Sequence, residues 1–205
     1  LRASDQFQLN VAVSLGVHEF LSQYLPEGLT IKWSNDIYHY DKKLGGILIE
    51  NTLQGYNIGY SVIGIGLNIN QTQFGVTTAS SLSLAANATQ SYDLNTMLGQ
   101  LAEKIEKYYL QIKQGYYESL KIQYLRVMYR YQEWHYFRKN DELFLGQIIG
   151  IDQTGKLAIE TEEEELLYFD FKNVSSVIAM SPSLSVLSCH LMCTLLFFLT
   201  ATTMP

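Results

Sequence analysis

The sequence has few cysteines and no excess of positive charge, and both shortages narrow its possible functions. Cys189 and Cys193 are the only cysteines among 205 residues, so residues 1–188 carry no thiol. That part of the chain cannot hold a disulfide framework, which fits a reducing cytoplasm. Acidic residues outnumber basic ones by 20 to 14, the net charge is −6, and no basic stripe or helix-turn-helix pattern is visible. Binding to nucleic acid needs clustered lysine and arginine, so we expect no nucleic-acid partner.

The end of the chain lacks charge altogether. No Asp, Glu, Lys or Arg follows Lys172, and residues 184–199 are rich in Ser, Leu and Phe. This apolar run is shorter than the roughly 20 residues that span a bilayer, and polar residues interrupt it. We therefore expect an atypical uncharged tail at 179–205 and no membrane partner, with a tail anchor as the alternative.

The rest of the chain is apolar enough to fill a sizeable core, with 47% hydrophobic and 13% aromatic residues. Continuous or alternating apolar runs predict strands at 29–33, 46–50 and 56–67, the last two joined by a turn at 51–55. Apolar residues recurring every three to four positions predict helices that begin near Ser4 or Asp5, at 95–113 and at 117–131.

Beyond Trp134 the apolar pattern alternates at short range and predicts a small β-meander. Its strands are expected at 142–151, 156–160 and 166–171, with a type I turn at Asp152 to Gly155. The chain is therefore divided into a main domain at 1–134, a small domain at 135–178 and the tail.

Three motifs within 39 residues carry the candidate chemistry. They are KWSND at 32–36, KKLGG at 42–46 and GIGLNIN at 64–70. A lysine ammonium suits phosphate or carboxylate oxygens, and a Gly-X-Gly segment lets a ligand approach the main chain without meeting a Cβ. The glycine pair is not a dinucleotide-binding fingerprint, because it ends a strand and lacks the third glycine. Together the motifs predict a nucleotide-dependent reaction of an anionic substrate.

In this order and spacing, the motifs resemble the catalytic domain of biotin protein ligases, which activate biotin with ATP and attach it to a lysine of a carboxylase carrier domain. The segments GID at 150–152 and TGKLAIE at 154–160 are similar to the C-terminal domain of the same family. The resemblance covers residues 1–178. It implies an α+β fold with a mixed central sheet flanked by helices, of the class II synthetase type, followed by a small SH3-like β-barrel. It also implies biotin and ATP as substrates, Mg²⁺, a biotin carboxyl carrier domain as partner, and a cytoplasmic location.

The resemblance assigns roles to individual residues. Lys43 aligns with the family lysine that touches both the biotin carboxylate and the phosphate, and a fixed cation there would stabilise the charge of the transition state. It is therefore the predicted catalytic residue. The predicted biotin-binding residues are Lys43, Gly46, Ile47, Gly64, Ile65 and Gly66. The predicted ATP-binding residues are Lys32, Asn35, Asp36, Lys43 and Asn68.

Simpler interpretations of the same residues stay open. Lys43 can be a solvated loop lysine, and Lys32 can lie over the sheet edge with its ammonium in water. The Asn35–Asp36 pair can cap a turn, although Asp36 could also hold the water shell of a magnesium ion. The glycines can serve tight packing beneath a helix. No metal site built by the protein alone is predicted.

The chain departs from the family pattern in two places. Ser34 stands where the family usually has proline, which we expect to loosen the loop. A GRGxxG loop, which in the family closes over biotin and supplies arginine to the phosphates, does not occur in the sequence. We therefore expect impaired activity of these 205 residues. The alternatives are a lipoate ligase or octanoyl transferase, which share the catalytic fold, and a non-catalytic binding fragment; the KWSND motif favours biotin.

Overall fold

A computed structural model describes residues 1–139 and 142–170, together with the backbone of residues 194–200. The chain is α+β, as predicted. Its elements, in order, are α1 (Gln6–Ser22), β1 (Leu29–Lys32), β2 (Asp36–His39), β3 (Lys42–Gln54), β4 (Asn57–Leu67), α2 (Leu82–Ala85), α3 (Leu94–Lys113), α4 (Tyr117–Arg126), β5 (Trp134–Lys139), β6 (Glu142–Ile151), β7 (Leu157–Thr161), β8 (Leu166–Phe169) and β9 (Thr194–Thr200).

The larger sheet has the strand order β1-β2-β3-β4-β9, and each neighbouring pair is antiparallel. The prediction of a mixed sheet is therefore wrong for the described strands. The reason is that β1 to β4 follow one another through short connections, which join antiparallel neighbours. Strand β9 pairs with residues 60–66 of β4 and was not predicted from the tail. The rest of the tail lies outside the described residues.

The two faces of the larger sheet differ in character. One face packs against the helices and buries a row of isoleucines, which comprises Ile31, Ile37, Ile47, Ile63 and Ile65. Helix α1 is packed between this face and α3, and a Cβ at Gly16 would come within 2.9 Å of the Ile105 backbone. Side chains alternate between the faces of a strand, so Lys32, Asp36 and Leu48 lie on the opposite face. We call that surface the open face.

Two element boundaries differ from the predictions for a physical reason. Helix α4 ends at Arg126 and not near residue 131, because the following segment pairs with the edge of β1. The Ile31 N–H donates to the Val127 carbonyl at 2.8 Å, and the Tyr129 N–H donates to the Ile31 carbonyl at 2.9 Å. Strands β3 and β4 are also longer than predicted. They stay paired up to a tight turn at Gly55, so residues 51–54 belong to β3 and not to the predicted turn at 51–55.

The small domain is an antiparallel meander of β5, β6, β7 and β8, in that order. The meander was predicted, although β5 was not identified as a separate strand. Closure into an SH3-like barrel stays a prediction, since residues 171–193 lie outside the described part of the chain.

The turn between β6 and β7 joins the small domain to the larger sheet. The Trp33 indole N–H donates to the carbonyl of Gly155 at 3.0 Å in a buried contact. Gly155 has φ +93°, and a Cβ built on it would lie 2.3 Å from Cγ of Phe7. A glycine is required there for two reasons, the left-handed backbone and the close approach of the Phe7 ring.

We predict that Gly155→Ala lowers the free energy of unfolding by about 2 kcal/mol or more, because it adds an overlap with Phe7 to an unfavourable φ. Urea unfolding followed by circular dichroism measures the change. Gly150→Ala is the control, since among the described residues no atom beyond its chain neighbours lies within 4 Å of its added Cβ and its φ is not positive. Equal stabilities of the two variants would contradict the packing described here.

Candidate active site

The turn between β1 and β2 is held by hydrogen bonds from several elements. The carbonyl of Ser34 accepts the Asn10 side-chain amide and the Tyr124 hydroxyl, each at 3.0 Å. The Asn35 side-chain amide donates to the Ile47 carbonyl, and the Ile47 N–H donates to the Asn35 carbonyl at 2.9 Å. The carbonyl of Ser34 is thus fixed from two sides, and the loosening expected from serine at this position stays a prediction.

Lys43 and Asp36 form an ion pair on the open face. Their Nζ and Oδ1 atoms are 2.7 Å apart, and the two side chains are 44% and 30% exposed. A register shift after Ile37 brings Tyr38 opposite Lys43 and Asp36 opposite Gly46. A Cβ on Gly46 would stand 2.9 Å from the Asp36 carboxylate, so the missing side chain makes room for the pair. Asp36 thus orients Lys43 while leaving its ammonium accessible.

Lys32 lies on the same face but in a different environment. Its Nζ is 5.0 Å from the ring centroid of Tyr38 and 5.9 Å from that of Tyr129. Burial lowers the pKa of Lys32, the nearby cations Lys43 and Arg130 lower it further, and Asp36 opposes them. None of the ion pairs between described residues includes Lys32. It is a partly desolvated cation held by aromatic rings.

The predicted glycines and isoleucines separate onto the two faces. Gly46 lies opposite Gly66 across the β3–β4 pair, on the face of Lys43. Ile47 and Ile65 are 3% and 0% exposed and point to the helices. Their side chains cannot touch a ligand on the open face, although their backbones can. Contact of Ile47 and Ile65 with biotin therefore remains a prediction only for their main-chain atoms.

Leu48 was not predicted as a site residue, yet its position fits one. It is 62% exposed, pairs with Gly64 and follows Gly46 on the same face. A Cβ on Gly64 would meet only the Leu48 carbonyl and Cβ among the described residues, at 3.8 and 3.9 Å. An apolar, flat area therefore adjoins the Lys43 pair. Strict alternation from the buried Ile47 was the signal that could have identified it.

Asn68 is engaged within the fold. Its side-chain amide donates to the Ser80 carbonyl at 3.1 Å, and its backbone N–H donates to the Leu44 carbonyl at 2.8 Å. Asn68 is 8% exposed. The predicted contact with the adenine or ribose stays a prediction that this geometry does not favour, because the amide already holds the segment after β4.

A cleft of about 450 Å³ lies between α1 and β3. Three residues of the candidate site, Asn35, Ile47 and Leu48, line it together with Gln6, Asn10, Ile49 and Asn51. Lys32 and Lys43 are not part of its lining. The cleft therefore adjoins the candidate site without including its two lysines.

Two further properties bear on possible ligands. Within the described residues, no three His, Cys, Asp or Glu side chains are grouped so as to hold a metal ion. None of the helices in that part of the chain is both long and apolar enough to cross a bilayer.

We predict that Lys32→Met leaves the stability unchanged or raises it by up to about 1 kcal/mol at neutral pH. A lowered pKa means that folding disfavours the protonated lysine, and this cost is present below the folded pKa and fades as the pH rises through that pKa. Methionine keeps the apolar stem without the charge. Urea unfolding at pH 7 measures the effect, with the exposed Lys42→Met as control. A loss above 1 kcal/mol would show that the aromatic contacts outweigh burial.

Part of the sequence matches a known protein family. Residues 5–68 match the biotin/lipoate A/B protein ligase family. The chain is 26% identical over 175 residues to a human biotin–protein ligase, which covers 79% of this chain and 23% of that protein. It is 27% identical over 161 residues to the bifunctional ligase/repressor BirA of Bacillus subtilis, covering 76% of this chain and 49% of that one. The chain thus spans less than half the length of these relatives.

A solved structure shares the fold. The apo biotin protein ligase of Aquifex aeolicus superposes with a TM-score of 0.66 at 22% identity, covering 82% of this chain and 73% of that one. The same protein in complex with biotin and ATP gives a TM-score of 0.64 at 23% identity, covering 80% and 68%. The predicted resemblance to biotin protein ligases is confirmed.

Proposed function

We propose that this chain, whose residues 5–68 match the biotin/lipoate A/B protein ligase family, activates biotin with ATP and transfers it to a carrier protein. The product of the first step is biotinyl-AMP, and the acceptor is a lysine of a biotin carboxyl carrier domain. The observation that carries the proposal is the 2.7 Å pair of Lys43 and Asp36 beside Gly46. It provides an oriented, accessible cation next to a surface that an apolar ring can approach.

In the first step a biotin carboxylate oxygen attacks the α-phosphate of ATP and pyrophosphate leaves. Two anions must come into contact, and the in-line transition state spreads negative charge over the phosphate oxygens. Lys43 is placed to touch both groups, and it needs no rearrangement because Asp36 already directs it. In the second step the carrier lysine attacks the acyl carbon, AMP leaves, and the amine loses its proton.

The open face supports a division of the ligand between two areas. Gly46 and Gly64 offer half-buried main chain, and Leu48 one exposed apolar side chain, for the biotin rings, while Gly66, opposite Gly46, is buried. Lys32 on β1 and Asp36 on β2, the latter directly beside Gly46, offer charge for the nucleotide. Mg²⁺ bound with the phosphates commonly uses one or two carboxylates and water, and Asp36 is the residue that would hold it.

The finer expectations remain part of the proposal. We further propose that the protein is a cytoplasmic enzyme with no nucleic-acid or membrane partner, and that these 205 residues turn over substrate poorly. A lipoate ligase or octanoyl transferase is the alternative enzyme, and a non-catalytic fragment is the other alternative. Biotin, lipoate and octanoate, supplied separately in an ATP–pyrophosphate exchange assay, discriminate between them. Exchange with biotin alone supports the proposal, and exchange only with lipoate or octanoate overturns it.

We predict that Lys43→Ala lowers biotin-dependent ATP–pyrophosphate exchange about a hundredfold or more, comparable to the loss of one preorganised charge-stabilising donor. Lys42→Ala is the matched control, since Lys42 is its exposed neighbour. Circular dichroism confirms that both variants fold. Unaltered exchange kinetics in Lys43→Ala would remove Lys43 from the catalytic role.

A second prediction tests which face of the sheet binds biotin. We expect Leu48→Ser to weaken biotin binding about tenfold with little loss of stability, because the side chain is 62% exposed. Ile65→Val should lower the stability by about 1 kcal/mol and leave the biotin affinity unchanged, because it is buried on the helix side. Isothermal titration and urea unfolding measure the two effects. The opposite pattern would place the biotin site on the helix-packed side.

A further inference from the structure

The small domain presents large apolar side chains on the face of its sheet that is turned away from its core. Strands β5 to β8 bury one face, and the core residues on it are at most 6% exposed: Phe137, Ile148, Ile159 and Phe169. Side chains alternate between the two faces of a strand, so the residues next to these point outward. We call that surface the outer face. Its exposed large apolar residues are Trp134, Tyr136, Leu143, Leu166 and Tyr168.

The strand register makes these outward side chains neighbours. Trp134 on β5 and Leu166 on β8 lie in one cross-strand row, with one polar residue of β6 and one of β7 between them. Tyr136 lies in the next row on one side, and Tyr168 lies in the next row on the other side. Side chains in adjacent positions of a sheet are close enough to touch one ligand together. The exposed apolar residues therefore form one surface and are not scattered.

This surface is not needed to fill a core. The opposite face of the same four strands already supplies buried aromatic and aliphatic side chains, whereas those of the outer face are between 43% and 59% exposed. Single apolar residues on a protein surface are ordinary, but a contiguous apolar patch marks an interaction site. Tryptophan and tyrosine are also the residues that most often supply binding energy at protein interfaces.

An acidic turn borders the outer face. Residues 162–165, between β7 and β8, are four consecutive exposed glutamates. Gly146 pairs with Thr161, so the turn continues beside Leu145 and the row of Tyr136. None of the ion pairs between described residues includes these glutamates. Apolar contact area thus lies next to a concentrated negative potential.

The charge of the turn selects the kind of partner. A second copy of the chain would bring another acidic turn and a net charge of −6, and nucleic acid or anionic lipid would bring phosphates. All of these are repelled by the turn, whereas lysine and arginine side chains are attracted. An extended segment places every second side chain on one face. Alternating apolar residues can then contact the outer face while basic residues at the end of the segment reach the turn.

We propose that the outer face of the small domain binds an extended, basic segment of another protein. Apolar side chains of the segment pack on Trp134 and Tyr136, and its lysine or arginine side chains lie at the acidic turn of residues 162–165. Arginine or lysine over the tryptophan ring adds a cation–π contact. The outer face lies outside the candidate active site, and this binding does not depend on the ligase reaction proposed above.

The position of Trp134 makes the test direct. The chain has two tryptophans, and Trp33 is only 7% exposed against 47% for Trp134, so acrylamide quenching of the fluorescence of the full chain reports mainly on Trp134. The probe is a blocked peptide with three leucines alternating with serines, followed by three lysines. We expect this peptide to bind, to shield Trp134 from acrylamide and to lose affinity as salt is added. Replacing its leucines by serine should weaken binding about tenfold, and replacing its lysines by glutamate should abolish it.

Variants of the protein locate the binding surface by isothermal titration with the same peptide. We expect Trp134→Ser and Tyr136→Ser each to weaken binding about tenfold, as for loss of an aromatic anchor. Leu110→Ser is the matched control, since Leu110 is 49% exposed on α3. Joint replacement of Glu162 and Glu163 by glutamine should weaken binding and flatten its salt dependence. The same replacement of the exposed Glu103 and Glu106 of α3 removes equal charge and should leave binding unchanged. Circular dichroism confirms that all variants fold.

Several outcomes would overturn the proposal. They are no binding of the lysine peptide, equal affinity for the leucine and serine peptides, and equal affinities of Trp134→Ser and Leu110→Ser. Self-association of the chain that is lost in Trp134→Ser would assign the outer face to a second copy instead. Trp134-dependent binding to phosphatidylcholine vesicles would assign it to a lipid surface. None of these measurements involves biotin or ATP, so the ligase proposal stands or falls separately.

Discussion

The anchored turn at Trp33, Ser34 and Asn35 is the constraint on which the candidate site depends. Four separate parts of the fold hold it: α1 through Asn10, α4 through Tyr124, β3 through Ile47, and the turn after β6. Buried hydrogen bonds are costly to leave unmade, so each partner restricts the turn to one arrangement. Asp36 starts β2 immediately after it. The direction of that carboxylate, and through it of Lys43, is therefore set by contacts that lie beneath the sheet and away from the open face.

The two faces of the larger sheet have different roles, since one stabilises the fold and the other carries the candidate site. The isoleucines on one face supply the core, while the other carries lysines, a carboxylate and glycines. A partly desolvated lysine such as Lys32 destabilises a fold unless something compensates its charge, and here the rings of Tyr38 and Tyr129 and the nearby Asp36 provide partial compensation. The fold can bear the cost of burying the Lys32 charge on the open face, because the almost entirely apolar helix-packed face supplies the stability.

An element could be predicted from the sequence where the pattern that indicates it lies within a few neighbouring residues. Helix α3 begins one residue from its predicted start and ends at the predicted Lys113, since the apolar spacing that predicts it lies within a few residues. Lys43, Gly46 and Asp36 are brought together as their motifs indicated. The α4 boundary failed because pairing of residues 127–129 with β1 overrides the helical period. Ile47 and Leu48 could have been distinguished by alternation, but Tyr129 reaches Lys32 only through the tertiary fold.

The anchoring of the β1–β2 turn has a consequence for how the protein is made. The bond between Ser34 and Tyr124 joins residues 90 positions apart, and that between Trp33 and Gly155 joins residues 122 apart. Contacts of such high sequence separation cannot form before both partners have been synthesised. During synthesis the three motifs leave the ribosome early, whereas the groups that orient them emerge much later. A nascent chain thus exposes the lysines without their geometry, and the site arises only once translation has passed residue 155.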